Sequence, residues 1–182
     1  MSQRFSEAGR TWDHTSPHWG EEDEEDRDVL KIAGFCVGDG VYGVDMMRIK
    51  EVIQAKPHTV HPIPRAPDSI DGVIELRGVI LPIMDLRKRF GVEIDPLLER
   101  LNKLIIVAVY GRILGLRVDR VLGELRVPQS AVNPAPALAT GLPSDASVEF
   151  SGVCKSGERI VFLLDLESLA RAPSEMSEVS DG

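Results

Sequence analysis

The sequence predicts a mainly β protein. From Leu30 onward, short apolar runs alternate with Gly, Pro and Asp, and no long amphipathic helix interrupts them. This spacing is typical of β-barrels and β-sandwiches. The chain has 182 residues, of which 43% are hydrophobic, so it is long enough to bury one sizeable core.

The charge of the chain lies mostly at its two ends. Residues 1–28 hold nine acidic and three basic residues, and residues 173–182 hold three acidic residues and no basic one. The intervening 144 residues are nearly neutral, with 17 acidic and 18 basic residues. We therefore predict disordered acidic tails at 1–28 and 173–182 around one folded domain at 29–172. Trp12 and Trp19, in the first tail, are either a short docking motif or exposed and inert.

The first predicted element is a β-hairpin. The run "KIAGFCV" has strand character, "GDG" tolerates the positive φ of a tight turn, and "VYGV" returns as the second strand. The segment "GDGVYG" also has the Gly-x-Gly-x-x-Gly spacing of dinucleotide sites. Such a site needs a helix that begins near Gly40, whereas β-branched and aromatic residues follow. The pattern therefore indicates a turn and not a nucleotide site.

Asp45 is predicted to cap a short helix, "MMRIKEVIQ", with Met46, Ile49 and Ile53 on one face. Four prolines between residues 57 and 67 indicate an extended loop after it.

The densest apolar segment is "GVIELRGVILPIMDLRKRFG". It predicts two strands joined or kinked at Gly78, and Pro82 places the second strand at an edge or a bulge. Asp85 is expected to cap a single helical turn that Gly91 ends.

Further hairpins follow the same pattern. "LIIVAV" turns at residues 110–112 into "ILGLRV", "VLGELRV" runs to Pro128, and "EFSGVC" turns through "KSGE" into "RIVFLLD". About nine or ten strands result. Asp165 is expected to cap a last helix, "LESLARA", and "PQSAVNPAPALATGLPSDAS" is a long loop by composition.

No catalytic or metal-binding signature is present in the sequence. His58 and His61 have no ligand cluster near them in sequence, and Cys36 and Cys154 are expected to be buried thiols in a reducing cytosol. There is no signal-peptide pattern, and the apolar runs are too short to cross a membrane. We therefore expect a soluble binding module without cofactor, metal or enzymatic activity.

Two long blocks, "GDGVYGVDMMRIKEVI" and "GVIELRGVILPIMDLRKRFG", resemble the CheW family, the small scaffold proteins of bacterial chemotaxis arrays. The likeness continues through "YGRILGLRVDRV", "VNPAP" and "RIVFLLDLESL" and covers about residues 30–172. It implies two packed five-stranded SH3-like β-barrels with a few short helices. It also implies a cytoplasmic, non-enzymatic adaptor that joins the regulatory domain of the histidine kinase CheA to the cytoplasmic tips of methyl-accepting chemoreceptors, in membrane-associated arrays.

The resemblance also implies a receptor-binding groove between the barrels. Its candidate residues are Met46, Ile49, Glu51, Val52, Gly72, Leu76, Arg77 and Gly115. The alternative is that Met46, Ile49 and Val52 pack inward and that Arg77 pairs with a local acid. Glu75 stands where the family usually has asparagine, and on a strand it would share a face with Arg77 and could pair with it.

The sequence also allows other functions. A CheW-like module serving a different signalling kinase or partner is the nearest alternative. A nucleic-acid-binding barrel would need a basic, aromatic face, which the nearly neutral domain does not offer. A small-molecule carrier or enzyme would use the long loop as a lid.

Overall fold

The described part of the chain, residues 28–135 and 150–171 of a computed structural model, contains ten strands. The strands are β1 Val29–Val37, β2 Gly40–Asp45, β3 Ile49–Gln54, β4 Ile70–Leu76, β5 Val79–Asp85, β6 Lys103–Val109, β7 Arg112–Val118, β8 Arg120–Pro128, β9 Phe150–Ser156 and β10 Arg159–Leu164. The helices are α1 Leu86–Arg89 and α2 Leu166–Ala170, and 3₁₀ turns lie at Met46–Arg48, Glu99–Leu101 and Gln129–Ala131. Nearly all of the predicted acidic tails, with Trp12 and Trp19, and most of the predicted long loop lie outside the described residues.

The strands form two five-stranded sheets with the same plan. Sheet A has the order β8-β1-β2-β10-β9, and sheet B has the order β3-β6-β7-β5-β4. Each sheet joins antiparallel hairpins through one parallel pair, β2 with β10 in sheet A and β5 with β7 in sheet B. Sheet B is built from consecutive strands, whereas sheet A takes strands from both ends of the chain.

The predicted hairpin turns are confirmed by the backbone. Gly38 has φ 56°, and the turns after β4 and β6 have positive φ at both central residues, Arg77 and Gly78 in one and Tyr110 and Gly111 in the other. Two-residue turns of this kind match the right-handed twist of the strands that they join.

All three predicted aspartate caps are confirmed. The Asp85 side chain accepts a hydrogen bond from the Arg87 backbone N–H at the start of α1, and Asp165 accepts one from Ser168 in α2. Asp45 accepts one from the Met47 backbone N–H. In the described residues, neither helix is long and apolar enough to cross a membrane.

The helix predicted at "MMRIKEVIQ" is wrong. Only Met46–Arg48 form a 3₁₀ turn, and Ile49–Gln54 are strand β3, antiparallel to β6. The register shifts between Ile49 and Glu51, so Lys50 is an extra residue, as in a β-bulge. The bulge brings apolar residues three apart onto one face of the strand, which produces a helix-like spacing in an extended segment.

The edge position predicted from Pro82 is also wrong. Strand β5 lies inside sheet B, between β7 and β4. Pro82 nevertheless precedes Ile83, the first residue of β5 that pairs with β7. The register of β4 shifts between Ile70 and Gly72, next to this point, so an irregularity does accompany the proline.

One large apolar core joins the two sheets. Phe35 and Tyr42 of sheet A pack in the same cluster as Ile105 and Leu116 of sheet B. Two smaller clusters belong to one sheet each, around Leu104 in sheet B and Val161 in sheet A. The sheets therefore share a core and do not form independent units.

Candidate partner-binding site

The candidate site centres on an ion pair between Arg77 and Glu51. Arg77 lies in the turn after β4 with φ 49°, and its side chain is 72% exposed. Its Nη1 donates to Oε1 of Glu51, on β3, over 2.5 Å. This hydrogen bond, together with the charge of Glu51, raises the pKa of Arg77, so the guanidinium stays charged at any physiological pH.

The Glu51–Arg77 pair closes the seam of a barrel. Strands β3 and β4 are the two edges of sheet B, and the pair joins Glu51 of one edge to the turn that ends the other. Sheet B is therefore curved enough for its edges to meet at this end. We call Glu51 and Arg77 the seam pair.

The expected contact between Glu75 and Arg77 is absent from the described structure. Arg77 leaves the strand in a left-handed turn, so the alternation of side chains that would place it beside Glu75 ends at Leu76. Glu75 stays on the exposed side of β4, opposite Ile80. The departure from the family's asparagine therefore does not occupy the arginine.

The apolar candidates lie on the other face of β3 and in the 3₁₀ turn that precedes it. Because of the bulge, Ile49 and Val52 stand opposite Val107 and Ile105, which both belong to the shared core. Ile49 packs against that core, while Val52 is 41% exposed and Met46, in the 3₁₀ turn, is 37% exposed. Met46, Ile49 and Val52, the β3 apolar face, thus extend from the shared core to the surface.

Arg48 fixes the turn that carries Met46. Its Nε donates to the carbonyl oxygen of Ala108 over 3.1 Å, and its Nη2 pairs with Glu167 of α2. Strand β6 of sheet B and helix α2, which follows β10 of sheet A, therefore hold this turn in place. Sequence reasoning missed Arg48, because its partners are 60 and 119 residues away in the chain.

The remaining candidates lie beneath the surface. Gly72 and Gly115 are buried, and Leu76 is half-buried against the small core of sheet B. A Cβ on Gly72 would overlap the carbonyl oxygen of His61, and one on Gly115 would meet the Ile83 side chain. These residues shape the barrel from inside.

The described residues contain no group of three or more His, Cys, Asp or Glu side chains that would hold a metal ion. Both cysteines are buried and free, and burial raises the pKa of the Cys154 thiol, which keeps it protonated and unreactive near neutral pH. The site offers an apolar face and an exposed ion pair, which are features of a contact surface.

The chain resembles known proteins over most of its length. It is 37% identical over 154 residues to the chemotaxis protein CheW of Klebsiella aerogenes, covering 78% of this chain and 87% of the relative. It is 32% identical to the chemotaxis protein CheW of Treponema pallidum, covering 77% of this chain and 81% of that relative.

A solved structure agrees with the fold. The scaffolding protein TtCheW from Thermoanaerobacter tengcongensis aligns with a TM-score of 0.70 and 29% identity, over 79% of this chain and 94% of that one. The predicted fold of paired five-stranded barrels is thereby confirmed. The family model of the CheW-like domain matches residues 31–174. These residues include all of β2 to β10 and most of β1. On this match and these relatives, the chain belongs to the CheW-like domain family.

Proposed function

We propose that this protein is a non-enzymatic adaptor that couples chemoreceptors to the histidine kinase CheA in a bacterial chemosensory array. CheW-like proteins are non-catalytic scaffolds, and the relatives above carry the names of chemotaxis and scaffolding proteins. The partners are the regulatory domain of a CheA-type kinase and the cytoplasmic tip of a methyl-accepting receptor. The protein works in the cytoplasm and reaches the membrane only through the receptor array.

The observation that carries the proposal is the arrangement on β3. The β3 apolar face reaches from the shared core to the surface, and the seam pair adds two charges, Glu51 on the other face of β3 and Arg77 in the turn after β4. An exposed apolar surface with charges nearby suits a partner helix, whose apolar side chains would cover Met46 and Val52 while the charges select its register. No reacting group is needed, because differential contacts with two receptor states are enough to bias a kinase.

The candidate residues take two roles in this proposal. Met46, Val52 and Arg77 are exposed and would contact the receptor. The less exposed candidates would hold those three in position: they are Ile49, Glu51, Gly72, Leu76 and Gly115.

Calorimetric titration of the full chain with the regulatory domain of CheA from the same organism tests the adaptor role. We expect binding with a Kd of about 1 μM or tighter, equivalent to roughly −8 kcal/mol. A folded sample that does not bind this domain would contradict the proposal and favour a CheW-like module that serves another signalling kinase.

Reversal of Arg77 tests the receptor surface. We expect Arg77→Glu to leave thermal unfolding nearly unchanged and to weaken binding of a receptor-tip fragment by about tenfold, because a charge at the rim of the contact becomes repulsive. Fluorescence anisotropy of the labelled fragment measures the change. Arg65→Glu is the matched control, since Arg65 is also an exposed arginine with positive φ outside the strands.

The charge swap Glu51→Lys with Arg77→Glu separates contact from structure. The swap restores an ion pair across the seam but leaves the wrong charge toward the receptor, so binding should stay weak. Recovery of receptor binding in the swapped variant would show that Arg77 acts only inside the barrel.

A further inference from the structure

A second surface, away from β3, combines exposed leucines with carboxylates. The segment between α1 and β6 contains Leu97, Leu98 and Leu101, which are 80%, 46% and 51% exposed. Leu98 and Leu101 are three residues apart across a 3₁₀ turn, a spacing that puts them on the same side, and the Leu101 N–H donates to the Leu98 carbonyl oxygen over 2.9 Å. Exposed apolar residues grouped in this way mark an interaction surface more often than isolated ones do.

Leu98 and Leu101 line a groove of about 360 Å³. Four carboxylate side chains also line it, those of Asp39, Glu93, Asp95 and Asp119. They come from the β1–β2 turn, the segment after α1 and the link between β7 and β8. We call this site the leucine groove.

Two of the four carboxylates in the leucine groove accept hydrogen bonds from backbone N–H groups. Asp119 accepts a hydrogen bond from the Gly38 backbone N–H over 2.6 Å, and Asp95 accepts one from the Leu97 N–H over 2.9 Å. Within residues 28–135 and 150–171, Asp39 and Glu93 have no ion-pair partner, and Arg120 is the single basic residue that lines the groove. The groove therefore combines two exposed leucines with four carboxylates and one arginine, an excess of negative charge.

We infer that the leucine groove docks a basic, apolar-faced segment of a partner protein. Leucine side chains on such a segment would cover Leu98 and Leu101, and its lysines or arginines would face the carboxylates of the groove. Charge complementarity of this kind speeds association and selects the orientation of the partner. The leucine groove shares no residue with the seam pair or the β3 apolar face, so its contact is separate from the proposed receptor contact.

Fluorescence anisotropy with a designed probe tests this inference on the full chain. The probe is a labelled peptide of about 14 residues, made of lysine and leucine with the leucines at i, i+3, i+4 spacing. We expect saturable binding at about 50 mM salt that weakens several-fold by about 200 mM, because exposed charges are screened over that range. A glutamate–leucine peptide of the same pattern should not bind.

Variants of the chain locate the binding. Leu98→Ser with Leu101→Ser, and separately Asp39→Lys with Glu93→Lys, should each weaken probe binding at least tenfold without loss of folding. The controls are Ile160→Ser and Glu158→Lys, at an exposed isoleucine and an exposed glutamate of the β9–β10 hairpin, and they should leave binding unchanged. Thermal unfolding of every variant confirms that it is folded.

Several results would overturn the inference. They are the absence of saturable probe binding, equal binding of the acidic peptide, and binding that the groove variants do not change. Binding that is instead lost when the acidic run at residues 21–26 is neutralised would place the contact in the N-terminal tail. Dimerisation of the chain that the leucine variants abolish, measured by sedimentation, would assign the groove to a second copy.

Discussion

Arg87 is a fully buried charge whose partners join three parts of the molecule. Its Nε and Nη2 donate to the two carboxylate oxygens of Asp85 over 3.0 and 2.7 Å. Its Nη1 lies 3.8 Å from Asp119, which in turn accepts the Gly38 N–H. Burial alone would lower the pKa of Arg87, but the hydrogen bonds and charge of Asp85 and the charge of Asp119 raise it overall. The guanidinium thus ties α1 to the turn of sheet A and to the link between the sheets.

We predict that Arg87→Met destabilises the protein by about 3–5 kcal/mol, because it leaves the Asp85 carboxylate buried without its partner. Urea unfolding measures this loss. The double variant Asp85→Asn with Arg87→Met should recover much of it, since asparagine keeps the helix cap and removes the unpaired charge. A single variant as stable as the unmodified chain would show that the pair contributes nothing net to folding.

Arg77 shows how far single residues were predictable. The resemblance put Arg77 and Glu51 in one candidate set without pairing them, and strand alternation offered Glu75 as a possible partner of Arg77. The turn conformation decided otherwise, because a left-handed residue no longer follows the strand's two-residue period.

At the scale of elements, β3 shows why a local pattern misleads. The spacing of Met46, Ile49 and Ile53 fits one face of a helix, but β3 finds its hydrogen-bond partners in β6, about 50 residues later in the chain. Because of the extra residue at Lys50, Ile49 packs against the shared core and Ile53 against the small core of sheet B, so the two lie on opposite faces of the strand. The hairpins were predictable because their turn residues lie between the strands that they join, whereas pairing of β3 with β6 is non-local.

Gly72 is predicted to be essential to β4 for steric reasons. Few residues other than glycine adopt its φ of 144°. A Cβ at this position would overlap the carbonyl oxygen of His61, and His61 forms an isolated β-bridge with Val73. We expect Gly72→Ala to cost about 2–3 kcal/mol. Gly78→Ala is the matched control, because Gly78 also has positive φ but has open space around it, and it should cost about 1 kcal/mol.

Thermal unfolding of the two glycine variants gives the comparison. Equal losses would mean that backbone conformation alone, and not the contact with His61, governs this position.

At the scale of the whole molecule, the shared core predicts a single cooperative domain. We predict that residues 29–172 alone unfold within about 4 °C of the full chain, because they contain every described strand and the removed ends are mainly polar and acidic. Differential scanning calorimetry of both forms measures the difference. Two separate transitions in the fragment, or a midpoint lower by more than about 10 °C, would contradict the prediction.

The sequence supported the mainly β class, the turns and the caps, since each depends on neighbouring residues. It did not reveal the leucine groove, because Asp39, Glu93 and Asp119 come from segments that only the folded chain brings together. Nor did it reveal that "DPLLERL" exposes its leucines, since an apolar cluster of this kind also fits a buried helix.

Sheet A combines strands from distant parts of the chain, so it is completed later than sheet B during synthesis. Strands β3 to β7 leave the ribosome together and complete sheet B, while β1 and β2 still lack their neighbours β8 and β10. Tyr42 of β2 meets Phe162 of β10 only after about 120 further residues have been made. A nascent chain that ends near Pro128 therefore holds a finished sheet B beside a β2 edge that is open to pairing with other chains, which is when chaperone protection matters most.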